Sequence, residues 1–275
     1  MRNSHKTYPS FWQAVVLFIV PLFIIEILAH LFFKEFLKDA THSFIFYFVS
    51  YILTLGIAYF IKKTRKESFS VSFKIGDWEI IPMMVLTMLF LYLFAIIGFS
   101  FLVSAFPYLA QKISPEGSFI EIAILVPVLE ELIFRGLFLG SFLKRYSLRR
   151  AILYSAILFS ALHLYLLAFP FFLLLGCIFG WVYFRTGSVF HTIIGHASYN
   201  SFALLAFYLG SHYPALNVCL IEKASSNFKD ILILVTVFIA SLVLLVICLW
   251  RLKIIFNRKV NPENMVDEPC QCLER

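Results

Sequence analysis

Three short polar clusters interrupt stretches that are otherwise apolar enough to span a bilayer: Glu130, Glu131 and Arg135; Phe159 and His163; His196 and Asn200. The hydrocarbon core cannot solvate an ionisable side chain, at a cost of about 2.5–3.5 kcal/mol each even on lenient insertion scales, so such groups usually line a cavity and do work there. A carboxylate, two imidazoles and a carboxamide, with no Ser or Cys nucleophile among them, suit the activation of water. Glu130 can take a proton from water, one His can hold that water, and a second His with Asn200 can donate hydrogen bonds to a developing oxyanion. The reaction class is amide hydrolysis inside or at the edge of a bilayer. The residues alone leave a second class open, in which the same polar cavity binds a partner helix, a peptide or a transported solute.

Composition sets the elements that must carry these groups. The chain is 61% hydrophobic and 14% charged, with 33 Phe among 275 residues, which is a polytopic membrane protein. Apolar runs predict an all-α transmembrane bundle of about eight helices, near 11–33, 44–61, 80–106, 118–143, 151–168, 170–184, 189–209 and 230–250. Ala168, Phe169 and Pro170 alone separate the fifth span from the sixth, predicting a tight hairpin or one broken re-entrant element. The first span lacks a cleavage site and is read as retained. One membrane domain covers 1–275, with 118–209 as its catalytic core helices and 251–275 as a tail. Of the 23 Lys and Arg, 17 fall on the side of the N-terminus and 5 on the other, with Arg135 left inside a span. That bias predicts both termini in the cytoplasm and accounts for the net charge of +7 without a nucleic-acid partner. The host membrane would be the cell or inner membrane of a bacterium, or the endoplasmic reticulum of a eukaryote.

The clusters can meet. Glu130 lies 14 residues before Lys144, His163 lies 13 after Arg150, and His196 and Asn200 lie 11 and 15 after Arg185. At 1.5 Å per residue these groups sit about 16–22 Å from the same flank. His196 and Asn200 are four apart and share a helix face, as do Phe159 with His163 and Glu131 with Arg135. Adjacent helical residues diverge, so Glu131 is expected to pair with Arg135 while Glu130 turns, unpaired, toward another helix.

The runs Glu130-Glu131-Leu132-Ile133-Phe134-Arg135, Phe159-Ser160-Ala161-Leu162-His163 and His196-Ala197-Ser198-Tyr199-Asn200 resemble, in order, the three signature motifs of the CaaX-processing and bacteriocin-processing (CPBP) intramembrane glutamic endopeptidases. This group includes the Ras-converting enzyme. The resemblance covers about 118–209. It implies that Glu130 activates water together with His163, that His196 and Asn200 stabilise the oxyanion, and that Glu131 and Arg135 support the site structurally, with Phe159 as packing. It also implies a peptide or protein substrate in or at the membrane, prenylated or not, with C-terminal CaaX-like processing as one form. Members of this broad family include immunity and regulatory membrane proteins, which is the non-catalytic alternative.

Other intramembrane chemistries lack their motifs: there is no His-Glu-x-x-His, no Gly-x-Ser-Gly and no Gly-x-Gly-Asp. No cofactor is expected. Zinc held by Glu130, His163 and His196 is the less favoured variant, because the paired-His spacing common in zinc hydrolases is missing. The five Cys form neither a disulfide framework nor a zinc pattern, and Cys272 is not followed by the aliphatic pattern of a prenylation box. Glu26 and His30, four apart on the first span, read as a local structural pair.

Overall fold

The computed structural model describes residues 7–32, 40–76, 78–109, 118–212 and 228–258. Within a bilayer every backbone N–H and C=O must find its partner in the protein, which leaves helices as the form these apolar runs can take. Among the described residues eight rods form: α1 (Phe11–Phe32), α2 (Ala40–Thr64), α3 (Ile80–Ala105), α4 (119–142), α5 (Leu148–Leu162), α6 (Phe169–Thr186), α7 (Val189–His212) and α8 (Phe228–Arg258). No strand occurs among the described residues. Five of the rods, α1, α2 from Ile45 onward, α3, α6 and α8, are long and apolar enough to cross a membrane. The other three, α4, α5 and α7, carry the candidate polar residues. The protein is an all-α integral membrane bundle.

Two boundaries differ from the expectation, each for a physical reason. The fifth span was expected to reach 168, but α5 stops at Leu162. His163 caps it and Leu164 enters the left-handed region at φ 48°, a conformation no helix of L-residues continues. At 15 residues α5 is about 22 Å long against a hydrocarbon core of about 30 Å, so α5 and α6 form the broken hairpin. The last helix continues to Arg258, past the expected start of the tail at 251, because Leu252 and Phe256 are buried, the latter against Trp181 at 5.1 Å. The rest of the tail, 259–275, lies outside the described residues, as does the side chain of Glu26.

α5 and α6 approach closely through glycine. A Cβ on Gly176 would stand 3.0 Å from Ala156, and one on Gly180 would stand 3.0 Å from Ile152, the small-x-x-x-small contact that membrane helices use to bring backbones together. Gly187, at φ 64°, then ends α6 by donating its N–H to the Tyr183 carbonyl at 2.7 Å, so α7 can start two residues later. An apolar groove of about 420 Å³ between α1 and α2, bordered by Trp12, Leu17, Pro21 and Ile57, carries none of the candidate groups.

One end of the bundle is tied together by polar contacts between segments the sequence assigns to the basic side. The Tyr8 N–H donates to both oxygens of Glu67, at 3.2 and 2.9 Å, and the Phe11 N–H to the Tyr146 hydroxyl at 3.2 Å. Arg145 donates to the Thr7 carbonyl at 3.3 Å, the Val189 N–H to the Ser72 carbonyl at 3.0 Å, and Arg185 to Asn257 at 2.6 Å. The start of α1, the segment after α2, the end of α4, the α6–α7 turn and the end of α8 therefore share one face.

Glu67 is the hub of that face. Burial pushes its carboxyl upward, but the Arg65 guanidinium at 2.9 Å, the Tyr8 N–H and Lys62 at 3.6 Å outweigh burial and hold it below the usual carboxylate range. A depressed folded value contributes stability that is complete above the unfolded value near pH 4.3 and is lost as the pH falls through the folded one. Glu67→Gln is therefore expected to lower the melting temperature at pH 7 by roughly 2–4 °C, the shift that about 1 kcal/mol makes in a large domain. The difference from wild type should shrink below about pH 4. Thermal melts of both proteins across pH 3.5–7 check this; a constant difference across that range contradicts it.

Candidate active site

The element that presents Glu130 and Glu131 is not a regular α-helix. α4 opens with a reciprocal cap, in which the Ser118 N–H donates to Glu121 at 2.6 Å and the Glu121 N–H to the Ser118 hydroxyl at 3.3 Å. It then runs as π-helix over Glu121–Leu125, α-helix over Val126–Glu131 and π-helix again over Leu132–Leu139. In the first wide turn the Val126 N–H bonds the Glu121 carbonyl, five residues back. The next bond in that register would need an N–H at residue 127, and Pro127 has none. The Ile122 carbonyl it would have served instead accepts from Asn200 Nδ2 of α7 at 2.9 Å. In the second wide stretch the Phe134 carbonyl accepts from the Ser155 hydroxyl of α5 at 2.9 Å. Pro127 and the π turns thus expose main-chain acceptors, and the neighbouring helices dock on them.

Glu131 anchors the centre. It is fully buried, and its Oε1 accepts from Arg135 at 2.8 Å and from His196 Nδ1 at 3.0 Å. Arg135, equally buried, donates also to the Gly176 carbonyl of α6 at 3.2 Å. Its guanidinium lies between the rings of Phe159, 4.7 Å away, and Phe179, 5.1 Å away, a cation–π sandwich that spreads a charge no water reaches. One carboxylate and one guanidinium thereby join α4, α5, α6 and α7.

Glu130 points elsewhere, as adjacent helical residues must. Its Oε1 accepts from the Tyr51 hydroxyl of α2 at 3.0 Å. Its Oε2 is buried with no hydrogen-bond partner among the described residues, and His196 Nε2 lies 3.7 Å away. The expectation of an unpaired acid is corrected on this point: one oxygen is held and one is not. A carboxylate paired with Arg135 can only accept, so His196 carries its proton on Nδ1 toward Glu131 and presents Nε2 to the Glu130 side.

His163 stands at the end of α5. Its Nδ1–H donates to the Phe159 carbonyl at 3.1 Å and its ring stacks on Phe172 with centroids 3.8 Å apart, leaving Nε2 as the acceptor nitrogen. Phe159 joins the two imidazoles, its ring centroid 5.2 Å from that of His163 and 5.5 Å from that of His196. The residues singled out in the sequence thus gather around one point from three helices. Glu130, Glu131, Arg135 and His196 are in direct contact, Phe159 and His163 stand beside them, and Asn200 follows one turn below His196 with its amide on α4. Among the described residues no group of three His, Cys, Asp or Glu side chains is placed to hold a metal ion.

Residues 115–202, the stretch from just before α4 to the middle of α7, match the Rce1-like family of type II CAAX prenyl endopeptidases. Over this stretch the chain is similar to the CAAX-protease family. The match contains all three motifs, and the family is one of membrane proteases, whose substrates are membrane-associated peptides. No curated protein and no solved structure matches the chain.

Tyr51, Gly176 and Phe179 contact these groups and went unread in the sequence. Tyr51 lies outside the family segment; its signal is a phenol in an apolar span, whose hydroxyl requires a partner once buried. Gly176 and Gly180 carry the x₃ glycine spacing of a close helix contact. Phe179 has no signal of its own among 33 phenylalanines.

The structural half of the site has a clear test. Glu131→Gln leaves Arg135 buried without its counter-charge, a loss on the scale of 3–5 kcal/mol for a broken buried pair, about which poor yield and a lowered melting temperature are expected. Replacing Arg135 by Gln as well should recover part of that loss, because no orphaned charge remains. Yield and melting of the two variants in detergent check it: a double variant less stable than Glu131→Gln alone contradicts the pairing role.

Proposed function

We propose that the protein is an intramembrane endopeptidase that hydrolyses a peptide bond with water activated by Glu130. The observation that carries this reading is the buried Glu130 carboxylate with one oxygen held by Tyr51 and the other unpartnered beside His196. In this reading Oε2 takes a proton from a water that His163 orients through Nε2. The hydroxide oxygen bonds to the substrate carbonyl carbon, and the carbonyl π electrons move to oxygen. The Asn200 amide donates to that oxyanion, and His196, held by Glu131 through Nδ1, stabilises it from the Nε2 side. Asn200 spends one N–H on the Ile122 carbonyl and has a second to give. Collapse breaks the C–N bond, and Glu130 returns its proton to the leaving amine. Glu131, Arg135 and Phe159 hold His196 and the helices without entering the reaction.

We infer further that the substrate is a membrane-associated peptide cleaved near its C-terminus, with the basic face of the bundle and both termini in the cytoplasm. The Lys and Arg bias supports that orientation. The polar ties at one end of the bundle agree with it, since they join the segments that the bias assigns to a single side.

Glu130→Gln keeps shape and removes the proton acceptor, so cleavage of a fluorogenic farnesylated CAAX peptide is expected to fall by at least ~100-fold with yield and melting unchanged. Wild-type cleavage should survive exhaustive chelation, and the same peptide without its prenyl group tests whether the lipid is recognised. Activity lost to chelator and restored by zinc would replace the general base with a Glu130, His163 and His196 metal site.

A further inference from the structure

We infer that Tyr51, on α2 and outside the family segment, is a positioning residue for Glu130: its hydroxyl pins Oε1 and so makes Oε2 the oxygen that meets water. The inference rests on the reading of Glu130 as general base. The terminal torsion of a glutamate is broad and roughly two-fold, so a free carboxylate presents either oxygen in a range of planes. Here the Tyr51 hydroxyl donates to Oε1 at 3.0 Å from a side chain only 5% exposed, where no bulk water competes for the bond. The phenol is itself held. Phe18 of α1 packs on it at 5.9 Å, and Phe18 is wedged in turn against Phe134 at 5.3 Å and Phe138 at 6.4 Å on α4. The donor is therefore fixed to the same helix whose carboxylate it orients.

This geometry divides the two oxygens of the acid by role. Oε1 faces α2 and is satisfied. Oε2 has no hydrogen-bond partner among the described residues and looks toward His196 Nε2 at 3.7 Å. A buried carboxylate oxygen left unsatisfied is costly, and a substrate water between Oε2 and the imidazoles is the group that would relieve it. Tyr51 takes no proton and touches no reacting atom. Its contribution is that the acceptor oxygen stands in one orientation before substrate arrives, so its loss should appear in turnover and leave substrate binding alone.

The test uses the full chain in detergent, the farnesylated CAAX peptide as probe, and four proteins: wild type, Tyr51→Phe, Glu130→Gln and the double variant. Tyr51→Phe is expected to lower kcat about tenfold, the scale of one hydrogen bond to a charged group, with KM within about twofold and melting unchanged. The double variant should be no slower than Glu130→Gln alone, because the tyrosine acts only through that acid. A second measurement needs no substrate: the infrared carboxylate band that Glu130→Gln deletes should shift in Tyr51→Phe. Wild-type kcat in Tyr51→Phe beside an inactive Glu130→Gln overturns the positioning role and leaves the general base standing. An active Glu130→Gln overturns the general base and this inference with it. A Tyr51→Phe that melts well below wild type, or an unshifted band, assigns Tyr51 to packing instead.

Discussion

The ion pair of Glu131 with Arg135 is the constraint on which the rest of the bundle depends. Two charges with no exposure inside a membrane protein are tolerable only when each is paired, since desolvation alone costs several kcal/mol per ion. Arg135 meets that demand with one carboxylate oxygen, one main-chain carbonyl and two aromatic faces. Each partner comes from a different stretch of chain: Glu131 from α4, Phe159 from α5, Gly176 and Phe179 from α6. His196 of α7 joins through the same oxygen of Glu131. The apolar helices have no hydrophobic reason to prefer one another over lipid; this cluster supplies a reason and fixes their register.

The irregular backbone of α4 is the second device. In a uniform α-helix the main chain would satisfy itself and offer its neighbours only side chains. The π turns and Pro127 release the Ile122 carbonyl, and the Phe134 carbonyl accepts in the same manner, so Asn200 and Ser155 bond directly to the backbone of the helix that bears the acids. Such wide turns are frequent at functional sites. Here they flank the α-helical turn that carries Glu130 and Glu131.

The division of labour between two adjacent acids follows. Each acid keeps its Oε2 without a hydrogen-bond partner among the described residues; Glu131 spends its Oε1 on Arg135 and His196, and Glu130 spends its Oε1 on Tyr51. His196 spans both, with one ring nitrogen on each side, so Glu131 orients the imidazole that faces Glu130.

The sequence by itself determined the membrane class, the helical rods and the three motifs, because hydropathy and four-residue spacing are local properties: each apolar run must satisfy its own backbone, and His196 with Asn200 or Glu131 with Arg135 must share a face. It also separated Glu130 from Glu131 by direction. Only the tertiary structure decided what each direction met. That Glu130 faces Tyr51, 79 residues earlier, that Asn200 caps a carbonyl orphaned by Pro127, and that α5 ends at His163 instead of running to 168 depend on contacts between segments distant in the chain. Such contacts leave no periodic trace in either partner. A tyrosine in an apolar helix and a glycine four residues from another are visible as residues, but the group that each one serves exists only after the helices have packed.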